Sequence, residues 1–401
     1  MLSSEQLKEI VNKTPSKIVF LVMDGAGGLP RPDSRLTELG TANTPNLDEL
    51  AKKSICGLID PVGMGITPGS GPGHLGLFGY DPTTTIIGRG VLESLGIGFD
   101  LRKGDLAIRG NFCTVDKDGL ITDRRAGRIA TDRSAPLCEK LDQIETEGVG
   151  AFVLPVRDHR FVIVFRGEGL NPNIRDTDPQ QVGVSPLPAQ PISSEAQQTA
   201  DMVNSFISRA HEVLANEQPA NMILMRGFSE LPDLPSMTDL YKLAPAAIAT
   251  YPMYRGLAKL AGMDILETGK SFEDQLNTLE QHYANYDFFF VHVKATDAAG
   301  EDGNFERKTK AIEEVDSLVP RLTALNPNVI VVTGDHSTPA LLKGHSWHPV
   351  PFMLYSEWCR CDEATQFSET ACAKGSLGRF PAVEIMPLAL ANALKLGKFG
   401  A

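Results

Sequence analysis

Apolar residues run continuously through three short stretches of this chain. Lys17–Met23 reads Lys-Ile-Val-Phe-Leu-Val-Met, Tyr286–Lys294 reads Tyr-Asp-Phe-Phe-Phe-Val-His-Val-Lys, and Asn328–Thr333 reads Asn-Val-Ile-Val-Val-Thr. Apolar runs without alternation predict strands covered on both faces, as in a parallel sheet. Ala246–Ala249 is shorter and leads into a helical pattern over Tyr254–Ala261. Thr44-Pro45-Asn46 offers a cap and a proline at the first helical position, predicting a helix to about Lys53. Phe305–Leu325 predicts a long helix, and Met1–Pro15 is polar with a helical pattern rather than a signal peptide.

From about Asp105 the texture changes. Leu106–Ile108, Asn111–Val115, Ala151–Val156 and Arg160–Phe165 are short strand-like pieces, with turn signals such as Asp118-Gly119 between them. Asp176–Ser194 is rich in Pro and Gln and reads as a long loop. An amphipathic helix over Ser193–Ala215 and a strand over Asn221–Met225 follow. The pattern predicts an α/β core with a mostly parallel sheet, residues 1–103 and 236–401, interrupted by an α+β insert, residues 104–235. Basic residues gather in the insert: Arg124, Arg125, Arg128, Arg133, Arg157, His159 and Arg160, with Arg226 at the end of its last strand.

Ile66-Thr67-Pro68-Gly69-Ser70-Gly71-Pro72-Gly73-His74 sets one serine among three glycines and two prolines. It reads as a tight loop, with a buried helix beginning in the apolar segment Leu75–Tyr80. A serine there stands where free N–H groups and the helix dipole favour an anion. A plain N-cap serine has the same signature. An α/β-hydrolase elbow would need Gly at 68 and 72, where Pro stands; a P-loop would need Lys where His74 stands. Asp24-Gly25-Ala26-Gly27-Gly28 opens like a dinucleotide fingerprint, which Pro30 breaks.

The chain has 401 residues, 42% hydrophobic and 22% charged, with a net charge of −12. That charge disfavours nonspecific nucleic-acid binding and requires a local cation for any anionic substrate. No apolar run approaches a membrane span. Six scattered cysteines, including the pair Cys359 and Cys361, read as reduced thiols, and the expected location is the cytoplasm. The sequence leaves the oligomeric state open.

The three apolar runs end alike. The first is followed by Asp24, the second by Asp297 and Glu301, the third by Asp335 and His336; His345 and His348 come soon after. In an open α/β sheet the carboxyl ends of the strands share one crevice. Asp24, Ser70, Asp297, Glu301, Asp335, His336 and His345 are therefore expected together. Carboxylates packed so closely need cations, and mixed oxygen and imidazole donors suit Mn²⁺, Zn²⁺, Co²⁺ or Mg²⁺. Seven donors exceed one tetrahedral site, which predicts two divalent ions and phosphoryl chemistry.

An ordered set of motifs carries a resemblance: Val22-Met23-Asp24-Gly25, Thr67-Pro68-Gly69-Ser70, His74-Leu75-Gly76-Leu77-Phe78-Gly79-Tyr80-Asp81-Pro82, Gly88-Arg89-Gly90, Asp123–Arg128, Lys294-Ala295-Thr296-Asp297, Gly334–Pro339, and His345 with Pro349-Val350-Pro351. The chain resembles the archaeal-type, cofactor-independent phosphoglycerate mutases of the alkaline phosphatase superfamily. The resemblance implies an alkaline-phosphatase-like core with an inserted substrate-binding cap. It implies a phosphoserine at Ser70, one metal at Asp24, Ser70, Asp335 and His336, and another at Asp297, Glu301 and His345, with Mn²⁺ the first expectation. Glu301 stands where much of the superfamily has His, and His348 is a second candidate for that place. Arg124, Arg125, His159, Arg128 and Arg226 are the expected substrate-binding residues. The implied reaction interconverts 3- and 2-phosphoglycerate without 2,3-bisphosphoglycerate; a metal-dependent phosphatase or phosphonate hydrolase on the same core is the alternative.

Overall fold

The computed structural model of the protein describes residues 4–400. Its packing forms two compact units, one running to Ile86 and resuming at Leu234, the other spanning Ile87–Asp233. The crossings lie at 86/87 and 233/234, where the change in texture gave 103/104 and 235/236. The first falls earlier because helix Arg89–Gly96 packs on strands of the second unit. At the N-terminus a helix covers Ser4–Ile10; residues 1–3 of the predicted segment lie outside the described residues.

Two strands precede the insert, β1 (Ile18–Met23) and β2 (Ser54–Asp60). Five lie in the second unit: β3 (Leu106–Val115), β4 (Ile121–Asp123), β5 (Gly150–Arg157), β6 (Arg160–Arg166) and β7 (Met222–Ser229). Six follow it: β8 (Pro245–Ile248), β9 (Asp264–Ile265), β10 (Phe288–Val293), β11 (Val329–Thr333), β12 (Val350–Ser356) and β13 (Gly378–Pro381).

The first unit is built on an eight-stranded sheet in the order β13-β2-β12-β11-β1-β10-β8-β9. It is mostly parallel; β12 runs against both its neighbours. The three apolar runs become the adjacent central strands β11, β1 and β10, and every residue in them is buried. Val22 stands opposite His292 on one side and Thr333 on the other. The chain therefore leaves these strands side by side, at Asp24, Lys294 and Gly334. Sequence pattern did not single out β2 and β12, where Gly57 and Pro351 interrupt the strand signal. Gly57 is nonetheless built in: a Cβ there would sit 2.8 Å from the Gly378 carbonyl oxygen.

In the second unit an antiparallel sheet runs β4-β3-β6-β5, with β7 also pairing β3. The two expected pieces around Arg109-Gly110 form one strand, β3. Gly110 keeps it continuous beside Phe161, whose ring a Cβ would meet at 2.3 Å. Alternate residues Leu106, Ile108 and Phe112 join Phe161, Ile163 and Phe165 in a core covered by helices Thr131–Asp142 and Gln197–Leu214. The other face carries Arg109 and Asn111, whose direct cross-strand partners are Arg226 and Arg160. No helix among the described residues is long and apolar enough to cross a membrane, and all six cysteines are free thiols.

Candidate metal centre and nucleophile

After β2 the chain passes through Pro61–Gly69 and enters a helix over Ser70–Leu77, with Gly69 as its N-cap. The helix thus begins at the serine, not at Leu75. Pro72 falls in the first turn, where a missing N–H costs nothing. Gly73 allows the helix to lie against the β11 loop: a Cβ there would be 2.2 Å from the Asp335 carbonyl oxygen. This approach brings Ser70 Oγ to 3.3 Å from His336 Nε2. His74, one turn on, is fully buried; its Nδ1 lies 2.8 Å from the Ser70 carbonyl and 3.1 Å from Asp335 Oδ2. Burial alone would lower its pKa, but the Asp335 and Asp24 carboxylates hold it above the ordinary histidine value.

Asp24 and Asp335 are fully buried and face one imidazole. His336 Nε2 is 3.3 Å from Asp24 Oδ1 and 3.1 Å from Asp335 Oδ2. Neither of these two oxygens accepts a hydrogen bond. Burial opposes ionisation of Asp24, yet the Lys294 ammonium, His292 and His336 hold its carboxyl well below the usual range. Asp335 is also lowered: burial and Asp24 oppose its charge, and His336 and His74 outweigh them. Buried, ionised carboxylate oxygens with no donor, beside an imidazole nitrogen, fit a divalent cation.

Asp297 ends the first turn after β10. Its Oδ1 accepts from Thr338 Oγ1 at 2.6 Å and lies 3.7 Å from His345 Nε2 and 3.9 Å from His336 Nδ1. The His336 and His345 rings stack with centroids 3.6 Å apart. His345 Nδ1 lies 3.0 Å from the Pro68 carbonyl, which leaves Nε2 toward Asp297. Two triads have donor atoms close enough to share an ion: Asp24 with Asp335 and His336, and Asp297 with His336 and His345. Glu301 is in neither; its side chain is 54% exposed, with Oε1 3.9 Å from His345 Nε2. His348 also stands outside both, with Nδ1 3.0 Å from Ser346 Oγ and its ring stacked on Trp347.

Several members of this centre escaped the sequence reading. Lys294 Nζ donates to Asp24 Oδ2, Asp297 Oδ2 and the Tyr254 hydroxyl. His292, a lone imidazole within the apolar run of β10, lies 3.2 Å from Asp24 Oδ2 under the Tyr254 ring. Gly25, at φ +64°, donates its N–H to Asp335 Oδ1. The available signal was Lys294 and Asp297 three apart at a strand end, in position to share one face of a helical turn.

In the second unit, the expected cap residues divide. Arg124 makes a two-pronged pair with Asp178, and Arg226 lies between Asp176 and Asp178. Arg125 and Arg128 are exposed on a turn in which Ala126, Gly127 and Arg128 all have positive φ. His159 is buried; burial and the charges of Arg160, Arg109 and Arg125 push its pKa down to about 4. Sequence reading missed Arg109 and Glu93, which pair at 3.4 Å. Glu93 Oε2, Asn111 Oδ1 and His159 Nδ1 are buried without hydrogen-bond partners. Arg109 and Asn111 at alternate positions of an otherwise apolar strand were the clue.

The profile of the family described as 2,3-bisphosphoglycerate-independent phosphoglycerate mutase matches residues 51–221. A Thermus thermophilus protein named as a probable enzyme of that kind is 50% identical over 400 residues, covering 98% of each chain. Its Thermosipho melanesiensis counterpart is 51% identical over the full length of both. Among solved structures, a Pyrococcus horikoshii protein aligns over 97% of this chain and all of its own, with TM-score 0.85 and 28% identity. The cofactor-independent phosphoglycerate mutase of Thermoplasma acidophilum covers 94% of this chain and all of its own, with TM-score 0.74 and 30% identity.

Proposed function

Because the chain belongs to the 2,3-bisphosphoglycerate-independent phosphoglycerate mutase family, we propose that it interconverts 3- and 2-phosphoglycerate through a phosphoserine at Ser70. The observation that carries this reading is the approach of Ser70 Oγ to His336 beside two buried, donor-free carboxylate oxygens. Asp24, Asp335 and His336, with Ser70, would hold one divalent ion. Asp297 and His345 would hold the second, with Glu301 as the remaining donor on the solvent side. Such ions, Mn²⁺ foremost, lower the pKa of a bound hydroxyl and neutralise charge on the transferring phosphoryl group.

The chain's own residues do the rest. Ser70 Oγ attacks phosphorus; the bond to the 3-oxygen breaks, and that oxygen leaves as a hydroxyl with the proton given up by Ser70. After the glycerate turns, its 2-hydroxyl oxygen attacks phosphorus, the bond to Ser70 Oγ breaks, and the proton given up by the 2-hydroxyl restores the Ser70 hydroxyl. Arg125, Arg128, His159, Arg124 and Arg226 remain the proposed substrate-binding residues of the second unit. Arg109 and Arg160 join them, because cationic side chains gathered around the buried His159 are suited to an anion. The strained backbone at Ala126–Arg128 supports a functional role for that turn.

The test is incubation with 3-phosphoglycerate and Mn²⁺, following both 2-phosphoglycerate and free phosphate. Conversion with little phosphate release supports a mutase. Stoichiometric phosphate release without 2-phosphoglycerate would show a phosphatase instead.

A further inference from the structure

Lys294 contacts a carboxylate from each candidate metal triad. Its Nζ lies 3.0 Å from Asp24 Oδ2 and 2.5 Å from Asp297 Oδ2, and 3.0 Å from the Tyr254 hydroxyl. Each carboxylate is split in function. Oδ1 of Asp24 and Oδ1 of Asp297 face the imidazoles of His336 and His345, whereas both Oδ2 atoms face the ammonium. Lys294 thus takes the two Oδ2 atoms, sharing that of Asp24 with His292, and leaves both Oδ1 atoms to face His336 and His345. Both carboxyl groups are fully buried, while a quarter of the lysine side chain remains exposed.

We infer that Lys294 is a built-in counter-ion, which keeps the metal-free centre folded and loosens its grip on divalent ions. The inference rests on the two-metal reading above. Three buried carboxylates, Asp24, Asp297 and Asp335, stand within one cluster. Without any cation their mutual repulsion would oppose folding. A fixed ammonium removes part of that repulsion permanently. The same charge repels an incoming cation, so the ion is held less tightly than three free carboxylates would hold it. Orientation does not depend on Lys294 alone. Thr338 still donates to Asp297 Oδ1, and His292 still lies against Asp24 Oδ2. Loss of the lysine should therefore act mainly through charge.

The experiment compares the wild type with Lys294→Met and Lys294→Arg, using melting of chelated protein and calorimetric titration with Mn²⁺ at one pH. The metal-free Met variant should melt roughly 5 °C or more below the wild type. It should bind Mn²⁺ roughly tenfold or more tightly, so saturating Mn²⁺ should raise its melting point further than that of the wild type. The Arg variant keeps the charge and should stay close to the wild type in both readings. If the Met variant folds only when Mn²⁺ is added, the counter-ion role is supported; if it fails to fold even with saturating Mn²⁺, the role is overturned. Unchanged melting of the metal-free variant, or unchanged or weaker Mn²⁺ binding, also overturns it while leaving the metal reading intact. A wild type that binds no divalent ion overturns both.

Discussion

Replacing Gly73 by alanine sets two known effects against each other. In an exposed helix, Gly→Ala stabilises by about 0.5–1 kcal/mol through backbone entropy. Here the added methyl would lie 2.2 Å from the Asp335 carbonyl oxygen, 3.0 Å from its carbon and 3.2 Å from Asp335 Cβ. The obstacle is backbone, so no side chain can rotate aside. Reaching an ordinary 3.4 Å from 2.2 Å means opening the contact by roughly 1.2 Å. Overpacking of this kind costs about 1–3 kcal/mol, which outweighs the propensity gain. The helix that must move begins at Ser70, and its neighbour across the gap carries Asp335 and His336. A displacement near 1 Å between a nucleophile and its activating groups costs on the order of a hundredfold in rate. Gly73→Ala should therefore lower the melting temperature and cut kcat about a hundredfold, with a smaller change in KM. Thermal melting and steady-state mutase assays read both. A variant as stable and active as the wild type would refute the close approach of helix and loop.

Other outcomes follow from the same geometry. Ser70→Ala should reduce turnover by orders of magnitude with the melting temperature nearly unchanged, and retained activity would remove Ser70 from the reaction. Chelation should inactivate the enzyme and divalent ions restore it, while Asp335→Asn should lower metal content measured by elemental analysis. Arg125→Ala should lower kcat/KM roughly tenfold or more and raise phosphate release relative to isomerisation, because a charge-assisted contact is worth about 1.5–3 kcal/mol. His159 is held down at about 4, first by burial and then by its arginine neighbours. An unfolded histidine titrates near 6.5, so below that pH the unfolded chain binds a proton that the folded chain refuses. Stability is full above about 6.5 and falls toward about 4, by roughly 2–3 kcal/mol. Acid-unfolding curves of wild type and His159→Asn should diverge across that window.

The central strands were legible because they are buried on both faces, so burial is written directly as uninterrupted apolar sequence. Their acidic termini were legible for the same reason, since Asp24, Asp297 and Asp335 break those runs abruptly. What the sequence hid depends on packing at short range. Gly73 and Gly110 look like breakers, yet one lies in a helix and the other in a strand, each because a neighbour comes too close for a side chain. Lys294 looked like the polar end of a strand, and only the parallel register of β1 and β10 sets it beside Asp24. Glu301 matched a spacing along the chain, but one turn of helix carries it to a position more than half exposed. Arg109 fell between two segments read as separate strand pieces and Asn111 began the second, and their shared face with Arg160 and Arg226 follows from cross-strand pairing.

A second layer explains how the loops after β1 and β11 keep the ligands in place. Lys308 is fully buried, and its Nζ donates to the carbonyls of Gly27 and Thr338, both at 2.9 Å. Burial lowers its pKa, against the pull of Glu38 and Glu369. Those two carboxylates are themselves occupied: Glu38 accepts from the Ala340 N–H, and Glu369 from the Gly28 N–H and the Thr37 hydroxyl. Thr338 N donates to the Gly27 carbonyl, and Ser337 forms β-bridges with Ala26, Gly27 and Ser346, its carbonyl accepting from the Ser346 N–H. A buried ionic network is seldom the most stable filling for a core; apolar residues of like volume often serve stability better. Its value here is directional. The Thr338 hydroxyl touches both Asp297 Oδ1 and His336 Nδ1, so one backbone anchor sets the orientation of groups in both triads. Fixing the His336 ring through Nδ1 leaves Nε2 aimed at Ser70, Asp24 and Asp335. These bonds hold the two loops in the arrangement that the proposed metal binding and phosphoryl transfer would require.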